Sequence, residues 1–108
     1  MRVLLGVIDS TAESATAAEM ASIDAFNEKL RANGQLIFAC GIAAPESSIV
    51  VDNRNNAGHI TEGPLSSAAE FLSGFWILEV DGREQAVSLA LAASLACNRR
   101  LEMRVLLG

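Results

Sequence analysis

With 108 residues the chain has room for one hydrophobic core, and 51% hydrophobic against 19% charged residues suffices to offset the chain entropy lost on folding. One domain over residues 1–108 is expected, and wholesale disorder is excluded. A net charge of −5, with Lys and Arg scattered and adjacent only at Arg99-Arg100, argues against a nucleic-acid partner, whose phosphates reward clustered basic side chains.

In chain order, residues 2–8 (RVLLGVI) are apolar at both parities, the pattern of a strand buried on both faces. Asp9 closes the run before any small-residue cleavage site, and no stretch approaches the roughly 20 apolar residues of a membrane span. No membrane partner is expected. Thr16 and Glu19 have the spacing of a capping box and predict a helix start. Along that helix Met20, Ile23, Phe26, Asn27 and Leu30 recur at three- and four-residue steps, with Asp24, Glu28, Lys29 and Arg31 on the other side. Asn33-Gly34 ends it.

Residues 35–42 (QLIFACGI) read as a second buried strand, stopped by Pro45. Cys40 alternates there with Leu36, Phe38 and Ile42, which marks a core thiol. Cys97, near a helix end, reads as a buried or half-buried thiol; the two cysteines match no zinc spacing, and a reducing, cytoplasmic compartment is expected. Residues 48–52 and 58–61 form a hairpin about Asn53-Arg54-Asn55-Asn56-Ala57, whose asparagines tolerate positive φ.

After the loop 62–67 and a short helical turn at 67–72, Gly74 introduces residues 75–80 (FWILEV) as a strand. Asp81 and Glu84 repeat the capping-box spacing ahead of a helix over 86–96, and residues 101–107 close the fold as a strand. The hexapeptide MRVLLG stands at 1–6 and again at 103–108, with no longer repeat around it. No glycine-rich phosphate loop, haem motif or metal-ligand cluster is present, so no cofactor is expected.

The order β-α-β-β-β-α-β predicts an α+β ferredoxin-like sandwich, with both helices on one face of an antiparallel sheet. The strands 3–8, 36–42, 75–80 and 101–107 carry apolar residues at both parities, so the face away from the helices is also oily. A second copy is the simplest cover, and a homodimer through the sheet face is expected. The plainer alternative is a small monomer with that face half-exposed.

The segment Thr61-Glu-Gly-Pro-Leu-Ser-Ser-Ala-Ala-Glu70, continuing Phe-Leu-Ser-Gly74-Phe-Trp-Ile-Leu-Glu-Val80, resembles the one that names the DGPF group of YCII-related proteins: T-D-G-P-F, an acidic turn, then G-G-F-Y and a hydrophobic strand. The order of flanking elements agrees over nearly the whole chain. Glu62 stands in place of the usual aspartate, Leu65 of the phenylalanine, Ser73 of one glycine, and Ala69 where lysine is common. The resemblance implies a ferredoxin-like fold of the dimeric α/β-barrel type. It implies little chemistry: the wider superfamily holds small-molecule isomerases, dehydrochlorinases and monooxygenases, and an association with sigma factors would suggest a regulatory interaction module. The His and Asp pair of some relatives, with its histidine on the first helix, has no counterpart, because the one histidine here is His59.

Candidate site residues follow from the residues themselves. A neutral imidazole at His59 beside Glu62 has the chemistry of a general acid or base, against the plainer reading of a surface hairpin histidine. Glu79 shares a strand face with Phe75 and Ile77; it either points into a dimer cavity with a raised pKa or sits at a wet strand end, where Arg2 or Arg104 can pair with it or with Glu102. Gly63-Pro64 fixes a tight turn. The loop 62–70 and the start of the strand 75–80 make the expected lip of a small-molecule site, with Gly63, Pro64, Leu65, Glu70 and Trp76 as its ligand-binding residues, although Trp76 is more ordinarily a core residue.

Overall fold

The computed structural model describes residues 1–10 and 15–108. The elements are β1 (Arg2–Asp9), α1 (Ala17–Ala32), β2 (Leu36–Gly41), β3 (Ile49–Asp52), β4 (His59–Glu62), β5 (Phe71–Glu79), α2 (Arg83–Cys97) and β6 (Arg100–Val105). Strands β2-β5-β1-β6 form one antiparallel sheet, and β3-β4 a separate two-stranded ribbon. With both helices packed on one side, this is the expected ferredoxin-like arrangement, with the ribbon inserted between its second and third sheet strands.

Local chemistry sets the helix ends. Thr16 Oγ1 accepts the Glu19 N–H at 3.1 Å while Glu19 Oε1 accepts the Thr16 N–H at 2.9 Å, so the capping box closes in both directions. At the other end Gly34 takes φ +67°; its N–H reaches the Arg31 carbonyl and the Gln35 N–H the Leu30 carbonyl, the paired bonds that finish a helix on glycine. The expected box at Asp81 and Glu84 does not form. The N-cap of α2 is Gly82, without a side-chain cap, because the Asp81 N–H is already taken by Gln85 Oε1 at 2.7 Å and the helix starts one residue later.

β5 begins at Phe71, so the expected helical turn over 67–72 is absent and Gly74 lies within the strand. A bulge between Val7 and Ile8 leaves Ser73 without a partner on β1, pairing Ile8 with Leu72 and Asp9 with Phe71. A second irregularity, between Leu36 and Phe38, inverts the parity of β2: Ala39 pairs with helix-side Trp76, and Cys40 with Phe75 on the opposite face. Cys40 is therefore exposed on the sheet face, not a core thiol, whereas Cys97 is buried.

The core lies between sheet and helices, where Val3, Leu5, Val7, Trp76, Leu78 and Val80 meet Phe26, Leu30, Ala86, Ala93 and Cys97. The other face is oily over three strands, with Leu4, Ile8, Leu72, Phe75, Ile77 and Phe38 half-buried or exposed, and Phe38 against Phe75 at 6.0 Å. β6 departs from expectation. Its residues on that face are Arg100, Glu102 and Arg104, because the apolar Leu101, Met103 and Val105 register with helix-side Val7, Leu5 and Val3. No helix among the described residues is long and apolar enough to cross a membrane.

Candidate functional site

Several of the expected site residues sit apart from the sheet. His59 and Glu62 lie on the exposed strand β4, three positions apart, so the strand's alternation sends their side chains to opposite faces of the ribbon. Gly63, at φ +98°, follows β4 and donates its N–H to the Ser48 carbonyl at 2.7 Å; Pro64 and Leu65 continue the turn, with Leu65 exposed. Asp52, opposite His59 in register, is engaged by the Arg54 guanidinium at 2.7 and 2.9 Å.

Glu79 stands at the other end of β5. Met1 places its terminal ammonium 2.9 Å from Glu79 Oε2, and Arg2, its register partner on β1, comes within 3.6 Å of Oε1. The ammonium first, then Arg2, hold Glu79 below the ordinary carboxylate value, opposite in sign to the rise a proton acceptor requires. Arg104 pairs with Glu102 along its own strand, not across the sheet. Glu70 pairs with Arg100 beside a shallow depression lined also by Ile8 and Leu72.

A cavity of about 560 Å³ opens where β1 ends and β5 begins, between the sheet and the stretch of α1 from Met20 to Asn27. α1 supplies Met20, Ile23, Asp24 and Asn27, one face at helical spacing. β2 and the chain after it supply Ala39 to Ala44, and β5 supplies Phe71 and Ser73 to Trp76. The bulge at Ser73 puts Phe71 in register with Asp9, on the side where the cavity opens. Of the expected ligand-binding residues Trp76 lines this cavity; the loop 62–70 does not.

Trp76 is fixed from two directions. Its ring meets Phe26 edge-on at 5.7 Å, and its Nε1–H donates to Asn27 Oδ1 at 2.7 Å, which satisfies the indole in an otherwise apolar wall. At the cavity's base Asp9, 8% exposed, continues the helix-side row Val3, Leu5, Val7. Its Oδ1 accepts the Ser10 N–H at 2.9 Å, and its Oδ2 accepts Arg99 Nε at 3.2 Å. Arg99 Nη1 donates to Glu19 Oε2 at 3.1 Å and to the carbonyls of Cys97 and Asn98.

The same arginine therefore ties the end of β1, the start of α1 and the end of α2 together. The Asp9 and Glu19 carboxylates raise the Arg99 pKa above its already high ordinary value, and the Thr16 N–H, then Arg99, hold Glu19 below its own. The sequence carried a signal for this group: a carboxylate in phase with the buried side of an apolar strand requires a cationic or multiply donating partner. Among the described residues no group of His, Cys, Asp and Glu is placed to hold a metal ion.

The model of the YCII-related domain family matches residues 1–102 of the chain. A search of the curated proteins finds no match.

Proposed function

The chain belongs to the YCII-related domain family, and from that premise we propose that it is a homodimer that binds a small, largely apolar molecule in the cavity between α1 and the end of the sheet. The cavity carries the reading. About 560 Å³ lies within the usual range for small-molecule sites, the walls are mostly aliphatic and aromatic, and Trp76, Asn27, Asp9 and Arg99 are held by bonds that exist before any ligand arrives.

The chain has one tryptophan, so the Trp76 indole N–H gives one cross-peak in a ¹⁵N correlation spectrum and reports directly on the cavity. A fragment library screened on that cross-peak is expected to yield compounds that shift it and lose binding in Ala43→Phe, which fills the cavity from an exposed position without adding a second indole while leaving the melting temperature unchanged. A library that leaves the cross-peak unmoved would overturn the ligand reading.

The dimer reading stands on the oily strip over β2, β5 and β1, with the charged row of β6 at its margin. Sedimentation should return twice the 11.4 kDa chain mass, and Phe75→Asp, in the middle of the strip, should return the single mass. Monomeric wild-type protein at micromolar concentration would remove it.

A further inference from the structure

Resting on the reading of the cavity as the binding site, we propose that its ligand is an organic cation, a protonated amine on an apolar or aromatic body. Charges around the cavity lean one way. Among the described residues its lining holds two carboxylates, Asp9 and Asp24, and one guanidinium, Arg99. That guanidinium is matched by Asp9 at 3.2 Å and Glu19 at 3.1 Å, so its charge is more than compensated before a ligand enters.

Asp24 differs from the other two carboxylates. It stands on α1 one turn beyond Met20, lines the cavity and has no ion pair among the described residues. A ligand anion would meet that carboxylate with no unmatched cation to receive it, whereas an ammonium group completes it. Phe71 and Trp76 in the wall give an aromatic body beside that charge its contact. Met20 and Ile23 on the helix side give the hydrocarbon part of such a molecule its contact.

Three probes of one shape and different charge test the inference: phenethylammonium, phenethyl alcohol and phenylacetate, titrated near neutral pH against the Trp76 indole cross-peak. The ammonium is expected to bind roughly tenfold tighter than the alcohol, and the carboxylate weakest. Asp24→Asn, at an exposed helix position where folding is not at stake, should weaken the ammonium about fivefold, as loss of a part-exposed ion pair does, and leave the alcohol unchanged. Phenylacetate binding as tightly as the ammonium, or an Asp24→Asn protein that holds the ammonium unchanged, overturns the charge assignment and leaves the cavity as a site. If none of the three moves the cross-peak while the fragment library does, the charge assignment falls and the cavity stands as a site; if the library fails as well, both readings fall.

Discussion

Arg99 shows how much one side chain can join. It is 20% exposed, and its fork spans a buried carboxylate from β1, the capping carboxylate of α1 and two carbonyls at the end of α2. Removing it leaves Asp9 buried without its guanidinium, the costly way to break such a pair. Arg99→Ala should lower stability by about 2–3 kcal/mol, the lower end because the arginine keeps some solvent, and depress the melting temperature by roughly 10–20 °C. Arg99→Lys keeps the charge but not the fork and should fall between. A melting temperature within about 2 °C of wild type in Arg99→Ala would show that the network is ornamental.

Acid titration tests the same residues in aggregate. Glu19 is held low by the Thr16 N–H and then Arg99, Glu79 chiefly by the terminal ammonium, and Asp52 by Arg54. A pKa depressed in the folded chain contributes stability that is complete above the unfolded value and lost as pH falls through the folded one. The ordinary value for the glutamates is 4.5, so the melting temperature should be flat from neutrality to about pH 5 and decline below it. Glu19→Gln should make part of that decline shallower. A decline already under way between neutrality and pH 5 would point to a different titrating group.

Among the elements, β5 meets its neighbour closely at Gly74. A Cβ on Gly74 would lie 3.0 Å from the Cys40 carbonyl oxygen and 3.4 Å from Gly41 Cα, and both are backbone of the neighbouring strand. Gly74→Ala should therefore cost about 1–3 kcal/mol through overpacking, read as a loss of roughly 4–8 °C per kcal/mol in a thermal melt. Gly34→Ala, by contrast, meets open space and carries only the strain of its positive φ.

Much at this scale was legible, and the failures have local causes. Thr16 and Glu19 announced α1 correctly because, among the described residues, nothing else takes their backbone N–H groups. Asp81 and Glu84 carry the same spacing, but Gln85 takes the N–H that the box would need. Cys40 was misplaced because alternation runs unbroken in the letters and is broken in the strand, and no residue between Leu36 and Phe38 advertises the irregularity. Asp9 and Arg99, ninety positions apart, come together only through the sheet order, so the cavity's base was hidden from any reading of local spacing.

The molecule as a whole measures 46 × 35 × 19 Å with a radius of gyration of 15.8 Å, against about 13 Å for a compact chain near this length. One cause is plain: β3 and β4 make their main contacts with each other, and Ile49, Val51 and Ile60 remain exposed on the ribbon. The repeated hexapeptide makes the global contribution explicit. Val3 and Leu5 in central β1 are fully buried, whereas their copies Val105 and Leu107 are 53% and 97% exposed at the edge. Identical letters thus read as equally buried strands, and the charged outer row of β6 went unseen.

Thiol chemistry gives a whole-molecule test of the paired state. Cys97 is buried and its thiol pushed up by that burial, so it should resist iodoacetamide in the folded protein, while Cys40 on the sheet face should react. Under the dimer reading, Cys40 labelling slows as protein concentration rises, and Phe75→Asp abolishes that slowing. A Cys40 rate independent of concentration in the wild-type protein would contradict it.

The strand order also imposes a schedule. β1 is made early, yet its two hydrogen-bonded neighbours are β5 and β6, which come last. Until Leu78 and Val105 have been synthesised, Val3 and Leu5 have no neighbouring strand to shelter them, so a nascent chain displays its oiliest segment throughout elongation. A chain halted before Arg100 would present β1 as a raw edge, a natural target for chaperones while synthesis lasts and for aggregation where they are scarce.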